Sequence, residues 1–225
     1  MTRLELRHVS KIYTGDGQKV EALRDISLSC EAGSITALVG RSGCGKSTLL
    51  NLAGAMDFPT SGEVLIDGRS TSALSDGELT ALRRKRIGFV FQFFHLLPTL
   101  TVLENVELPL LLAGVTDTAG PALDRLAWVD LAEKASSLPH QLSGGQMQRV
   151  AIARALVSSP EILIADEPTG NLDTASGDLV LKLLRESAGR FGATVVMATH
   201  SAEAAAIAGT RVRLRDGRIA EIETS

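Results

Sequence analysis

The chain has 225 residues, 44% of them apolar, and its 23 Lys and Arg stand against 26 Asp and Glu for a net charge of −3. That length supports one large domain with a core that needs no staple. The nearly balanced charge gives no field for collecting nucleic acid or anionic lipid, so no nucleic-acid partner is expected and any partner must be selected by shape.

The amino end, MTRLELRHVSKIYTGDG, is charged throughout and has no apolar run of the leader type, and Leu4-Glu5-Leu6-Arg7 alternates as a strand with one dry face does. Residues 35–39 form a short apolar run that reads as a buried parallel strand, and 46–55 behind it read as a helix. Glu63-Val64-Leu65-Ile66 before the turn Asp67-Gly68 predicts another strand of the antiparallel kind. Residues 87–91 are the second buried run. From 92 to 139 no such run occurs; the stretch is Leu-rich with Pro98, Pro109 and Pro121 as breaks, which predicts a helical lobe inserted into the sheet domain. A helix over 146–157 stops before Pro160, a strand follows at 162–165, then a helix at 176–188 and a strand at 194–198. Strands alternating with helices argue for an α/β fold with a parallel core and flanking antiparallel strands. No repeat, low-complexity tract or appended domain is expected. Cys30 and Cys44 lie too far apart in sequence for a metal pair and read as reduced, cytoplasmic thiols. The most apolar late stretch, 108–115, is far too short to span a bilayer.

Gly40-Arg41-Ser42-Gly43-Cys44-Gly45-Lys46-Ser47 follows the first buried strand and opens a helix, the context that the phosphate-loop pattern GxxxxGK[ST] requires. Backbone N–H groups freed by the glycines converge on phosphate oxygens, the helix amino end adds partial positive charge, Lys46 adds a full one, and the Ser47 hydroxyl is a ligand for Mg²⁺. Asp166 and Glu167 directly follow the strand at 162–165, on the same carboxyl edge of the sheet as that loop. Asp166 is the candidate to hold Mg²⁺, and Glu167 the candidate general base toward water. Leu142-Ser143-Gly144-Gly145-Gln146 precedes a further helix and offers a second anion-accepting amino end, or simply an ordinary capped helix start.

The phosphate loop, LSGGQ, ILIADE and a later isolated His stand in the order and spacing of ABC-type ATPases, and the chain resembles that family over essentially its whole length. The resemblance implies a P-loop NTPase fold, a RecA-like parallel core with an antiparallel β subdomain (residues 1–92 and 160–225) and a helical subdomain (93–159) within a single domain. It implies ATP and Mg²⁺, held between two head-to-tail copies, so that Ser143, Gly144, Gly145 and Gln146 contact the γ-phosphate bound by the other copy. Residues 40–47 with Thr48 then cradle the nucleotide, Tyr13 stacks on adenine, and Gln92 reaches Mg²⁺ and the attacking water. Asp173 lies in a loop crossing the dimer interface, and His200 orients water and γ-phosphate. Without the family, Tyr13 reads as an edge-strand residue and Asp173 as a helix cap.

A narrower similarity rests on the segment from Phe89 to Pro98, on Thr101-Val102-Leu103-Glu104-Asn105-Val106 and on Pro168-Thr169-Gly170-Asn171-Leu172-Asp173. These look like the subgroup of lipoprotein-releasing, macrolide-exporting and cell-division ATPases. Four of the six Phe fall within residues 89–94, either as core or as a groove for a helix of an integral membrane subunit. The expectation is a cytoplasmic ATPase, peripheral on the inner face of the cell membrane through that partner. The alternative is a soluble member of the family acting on ribosomes or DNA; such chains usually join two cassettes or carry coiled coils or basic arms, and none is visible here.

Overall fold

The computed structural model describes residues 1–15 and 18–224, and it sorts the alternating and the continuous apolar runs into two different sheets. β1 (Thr2–Gly15) and β2 (Gln18–Glu31) form a long antiparallel ladder, which β4 (Ser61–Ile66) and β5 (Arg69–Ser70) extend to the order β2-β1-β4-β5. Between them in sequence, β3 (Ile35–Val39) enters the second sheet. There it is joined by β6 (Ile87–Val90), β7 (Ile162–Asp166), β8 (Thr194–Thr199) and the hairpin β9 (Thr210–Arg215) and β10 (Arg218–Thr224), in the order β10-β9-β3-β8-β7-β6. Every neighbour in that sheet is parallel apart from the β9/β10 hairpin.

The parallel strands are apolar without interruption because both faces are covered. Ile162 and Ile164 of β7 point into one core with Val196 and Ala198 of β8, whereas Leu163 and Ala165 point into the other with Val195 and Met197. The first core lies under the antiparallel sheet and α1 (Lys46–Ala53), whose Leu49, Leu50 and Leu52 are buried in it. The second is roofed by α3 (Val102–Leu112), α4 (Ala119–Trp128), α5 (Gly144–Leu156) and α6 (Thr174–Phe191). α2 (Asp76–Arg86) sits beside β6, and α7 (Ala202–Ala206) follows β8.

Residues 93–159 contain α3, α4 and α5 and, among the described residues, no strand. The prolines there do not all interrupt helices. Pro109 lies inside α3 and Pro121 in the first turn of α4, where a missing N–H leaves no intrahelical bond unmade. Pro98 lies in a turn. Asn105 of α3, fully buried, orders that turn: its amide accepts from Leu97 N at 2.8 Å and donates to the carbonyls of Leu97, Leu100 and Thr101.

Other boundaries differ from expectation for local reasons. α5 begins at Gly144, because Ser143 caps it, and α6 runs on to Phe191, where Gly192 turns left-handed at φ 67°. α2 is missed because its composition is strongly polar, although a Ser75–Glu78 capping box opens it. β2 and the β9/β10 hairpin are missed because one face of each is exposed and charged. No helix among the described residues is long and apolar enough to cross a membrane.

At Gly88 of β6 the sheet comes so near α5 that a Cβ would stand 2.4 Å from the carbonyl oxygen of Ala155. Gly88→Ala is therefore expected to destabilise the chain by about 1–3 kcal/mol, a fall of roughly 2–4 °C in Tm per kcal/mol at this size. Thermal unfolding reads it directly; an unchanged Tm would show that α5 is free to move off β6.

Candidate active site

Where β3 ends at Val39 the chain turns through residues 40–45 into α1. Two glycines are required by close backbone approach. A Cβ on Gly40 would stand 2.5 Å from the Leu214 carbonyl oxygen, and one on Gly45, at φ 106°, 2.7 Å from that of Ala22. Lys46, only 9% exposed, folds across the loop it follows, its Nζ donating to the carbonyls of Gly40 at 2.8 Å and Arg41 at 3.2 Å. α1 starts with no side-chain cap and no acid in its first turn, so its amino-terminal N–H groups and partial positive charge face the loop unopposed.

The parallel register of β7 on β8 pairs Asp166 with Ala198 and so brings the ends of both strands beside this loop. Burial pushes the Asp166 carboxyl above the ordinary carboxylate range; the neighbouring Ser47 hydroxyl opposes this, the Glu167 charge adds to it, and Lys46 opposes it again. Glu167 holds a left-handed backbone at φ 47°, with its N–H on the Ala198 carbonyl at 3.0 Å. Its Oε2 lies 2.8 Å from Nδ1 of His200 and accepts from the His200 N–H at 3.3 Å. The positive φ costs about 1–3 kcal/mol and swings the carboxylate away from β7 toward His200. Gln92, just beyond β6, donates from Nε2 to Asn171 Oδ1 at 3.3 Å, and Asn171 Nδ2 returns a bond to the Gln92 carbonyl at 3.1 Å.

One cleft of about 720 Å³ unites these groups. Ser42, Gly43, Gly45, Lys46, Ser47 and Thr48 line it together with Gln92, Asp166, Glu167 and His200. Gly40, Arg41 and Cys44 line an adjoining hollow of about 520 Å³ against Arg213 and Arg215. Among the described residues no three His, Cys, Asp or Glu converge as a self-sufficient metal site.

Three expected elements stand apart from the cleft lining. Ser143 and Gln146 cap α5 reciprocally, with Gln146 N on Ser143 Oγ at 3.2 Å and Ser143 N on Gln146 Oε1 at 2.9 Å. Gly144 and Gly145 follow, and a Cβ on Gly145 would stand 2.4 Å from Ser176 Oγ. Asp173 caps α6, accepting from Ser176 N at 2.9 Å. Tyr13 donates from its hydroxyl to Asp57 Oδ2 at 3.1 Å under the Lys11 ammonium, 4.9 Å from the ring centroid. Its partner across the β1/β2 ladder is Val20, which does line the cleft.

Sequence reasoning missed the cleft's other wall: Val20, Glu21, Ala22 and Arg24 of β2, and Asp216 and Gly217 of the β9/β10 turn. Gly217 ties that wall together, donating to the Cys44 carbonyl at 3.2 Å and accepting from Arg24 N at 2.7 Å. The Asp216-Gly217 pair is a hairpin signal readable from sequence, but nothing local says that this turn meets the phosphate loop.

Comparison with known proteins adds three kinds of likeness. The model of the ABC transporter family matches residues 23–170. An uncharacterized ABC transporter ATP-binding protein of Methanocaldococcus jannaschii is 48% identical over 97% of this chain and 98% of its own length. The lipoprotein-releasing system ATP-binding protein LolD of Geobacter metallireducens is 49% identical over 96% and 97%. The macrolide export ATP-binding/permease protein MacB of Burkholderia pseudomallei is 47% identical over 96% of the chain but only 33% of its own length. Among solved structures, a dimeric ATP-binding cassette in a post-hydrolysis state with ADP and Pi superposes at a TM-score of 0.91, with 42% identity over 98% of both chains.

The raised pKa of Asp166 makes its ionised form a cost to folding at neutral pH: the favourable contribution is complete below the unfolded carboxylate value and is lost as pH rises through the higher folded one. Asp166→Asn is thus expected to raise the Tm of the ligand-free chain at pH 7.5, with the gain vanishing toward pH 4. A lower Tm for the variant at neutral pH would contradict the burial argument.

Proposed function

This chain belongs to the ABC transporter family, and from that premise we propose that it is the ATP-binding and ATP-hydrolysing subunit of a membrane transporter or mechanotransmission complex. It closes head to tail on a second copy around two ATP and drives a transmembrane partner. The observation that carries the reading is the single cleft in which Lys46, Ser47, Gln92, Asp166, Glu167 and His200 converge, with a second glycine-bearing helix end outside it.

In this reading residues 40–47 and Thr48 bind the triphosphate, with Lys46 leaving its own loop carbonyls for the β- and γ-phosphate oxygens. Val20, 58% exposed on the cleft rim, and its cross-strand partner Tyr13 offer the base an apolar edge. Ser47, Gln92 and Asp166 would hold Mg²⁺; few oxygen donors, completed by phosphate and water, suit that ion, and when bound it neutralises charge on the transferring phosphoryl group. Glu167 takes a proton from the water that attacks the γ-phosphorus, while the bond from that phosphorus to the β–γ bridging oxygen breaks and ADP leaves. His200, in contact with Glu167, steers that carboxylate and the water. Ser143, Gly144, Gly145 and Gln146 receive the γ-phosphate held by the other copy, and Asp173 meets the facing protomer. The core is residues 1–92 and 160–225, and the helical subdomain 93–159.

The membrane partner docks at a groove of about 530 Å³ between α2, β6 and α3, lined by Phe89, Phe91, Leu108 and Leu112 with Arg83 and Arg84 at its edge. Among the described residues no carboxylate lines it, so an amphipathic helix with acidic flanks fits it. Phe91 stacks on Phe89 at 6.0 Å, while Phe93 is 68% exposed, which divides the aromatic cluster into a packed part and a presented part. Docking there keeps the subunit peripheral, on the cytoplasmic face of the membrane.

Glu167→Gln is expected to lower kcat by about 10²–10⁴-fold, the range for losing a general base, while ATP still binds and an ATP-bound dimer accumulates on size exclusion. Hydrolysis at the parent rate would remove Glu167 from the chemistry. Leu112→Asp with Arg84→Glu is expected to abolish co-purification with the integral membrane subunit of the native complex and leave ATP-driven dimerisation intact. Retained co-purification would move the docking surface elsewhere.

A further inference from the structure

We propose that Gln148 is a positioning residue, tying the amino end of α5 to the segment that carries Glu167, so that an anion captured at residues 143–146 and the carboxylate in the cleft move together. This rests on the paired reading above, in which that anion is the γ-phosphate bound by the other copy. One ATP site of the pair is thereby read by the other through a single buried amide.

Gln148 is fully buried, and its Nε2 donates to the Pro168 carbonyl at 2.7 Å. The amide has one admissible orientation: reversed, it would set carbonyl oxygen against carbonyl oxygen. Its Oε1 accepts no hydrogen bond among the described residues, so the Pro168 bond alone orients a group whose burial is otherwise unfavourable. Pro168 directly follows Glu167, and the turn is tight: Gly170 N donates to the Glu167 carbonyl at 3.0 Å and Leu172 N to that of Thr169 at 3.2 Å. The Pro168 carbonyl lies one peptide plane beyond Glu167 and is joined to it through the ring-fixed φ of Pro168, so a shift of that carbonyl is passed back to a Glu167 already at positive φ. Among the described residues, side-chain hydrogen bonds reach residues 167–172 from Gln92, His200 and Gln148, and only Gln148 belongs to α5.

A second contact acts at the far end of the same segment. Gly145 lies so close to Ser176 that no Cβ fits between them, and Ser176 is bonded through both its N–H and its hydroxyl to Asp173. Gly145 and Gln148 stand in the first turns of α5, within roughly 6 Å of its start along the axis. A movement of that helix end is delivered to the 167–173 segment at both its ends, by a hydrogen bond near Glu167 and by direct contact near Asp173.

Two variants of the full chain test this. Gln148→Met keeps length and apolar volume but has no donor; Gln148→Glu is a donor only when protonated. Binding of a fluorescent ATP analogue, kcat and KM between pH 6 and 8.5, and Tm are measured for both. Gln148→Met is expected to hold nucleotide affinity and KM within about twofold while kcat falls at least roughly tenfold, the split that marks lost positioning rather than lost binding. Gln148→Glu is expected to match it at pH 8.5 and to regain activity relative to the parent by about fivefold or more toward pH 6, as the protonated side chain donates again to Pro168. A kcat within twofold of the parent overturns the proposal. So does a parallel fall of affinity, kcat and Tm with no recovery at low pH, since Gln148 would then be scaffold only. The pairing is tested separately: a Glu167→Gln chain that stays monomeric with saturating ATP sinks the sandwich and with it the transmission between sites, whereas dimerisation with an unaffected Gln148→Met kcat sinks the Gln148 role alone.

Discussion

Parallel strands covered on both faces have nowhere to carry polar groups except at their ends, and that constraint decides where chemistry is possible in this chain. β3, β7 and β8 are neighbours in parallel register, so Val39, Asp166 and Thr199 reach the same edge of the sheet. What emerges from each strand is then brought together without any long-range design of its own: the glycine loop from β3, two carboxylates from β7, and His200 from β8. The cleft is the sum of these strand ends and of Gln92 just beyond β6, walled by β2 and the β9/β10 turn.

This explains which parts of the molecule are readable from residues alone. A buried parallel strand announces itself as an unbroken apolar run, and the residue after it is at the sheet edge by necessity, which is why residues 40–47 and 166–167 could be placed beside one another from sequence. Tyr13 is a different kind of case. Its hydroxyl is taken by Asp57 and its face by Lys11, partners 44 residues away and two residues away, and neither pairing leaves a periodic trace. β2 is less legible still, since its exposed charged face dilutes the alternation, and its contact with the glycine loop runs through Gly217, 193 residues beyond Arg24. The prolines mislead for a local reason: a proline breaks a helix by its missing N–H and by its clash with the preceding turn, and in the first turn of α4 the missing N–H goes unneeded.

α5 joins these levels. Its amino end carries the Ser143–Gln146 capping box, its flank holds Pro168 through Gln148, and further along Arg154 donates to the carbonyls of Phe94 and His95, at 2.8 and 2.5 Å. Phe94 and His95 both have positive φ and belong to the segment between Gln92 and the docking groove. One helix therefore touches the proposed second anion site, the loop of the proposed general base and the proposed docking surface. The full burial of Gln148 makes its attachment expensive to break, because a lost partner would leave the amide dry, whereas Arg154 is only half-buried.

The same geometry sets a limit on stability. Asp166 is kept partly buried beside Glu167, so burial and a like charge both oppose its ionisation, and Glu167 itself occupies a backbone conformation that favours glycine. Neither arrangement helps the chain to fold. In the proposed function, cationic charge held with the phosphates between Lys46, Ser47 and the two carboxylates would offset the first of these costs. On that reading the loop that follows β7, held by Gln92 from one side and Gln148 from the other, is where a change at the carboxylates is passed on.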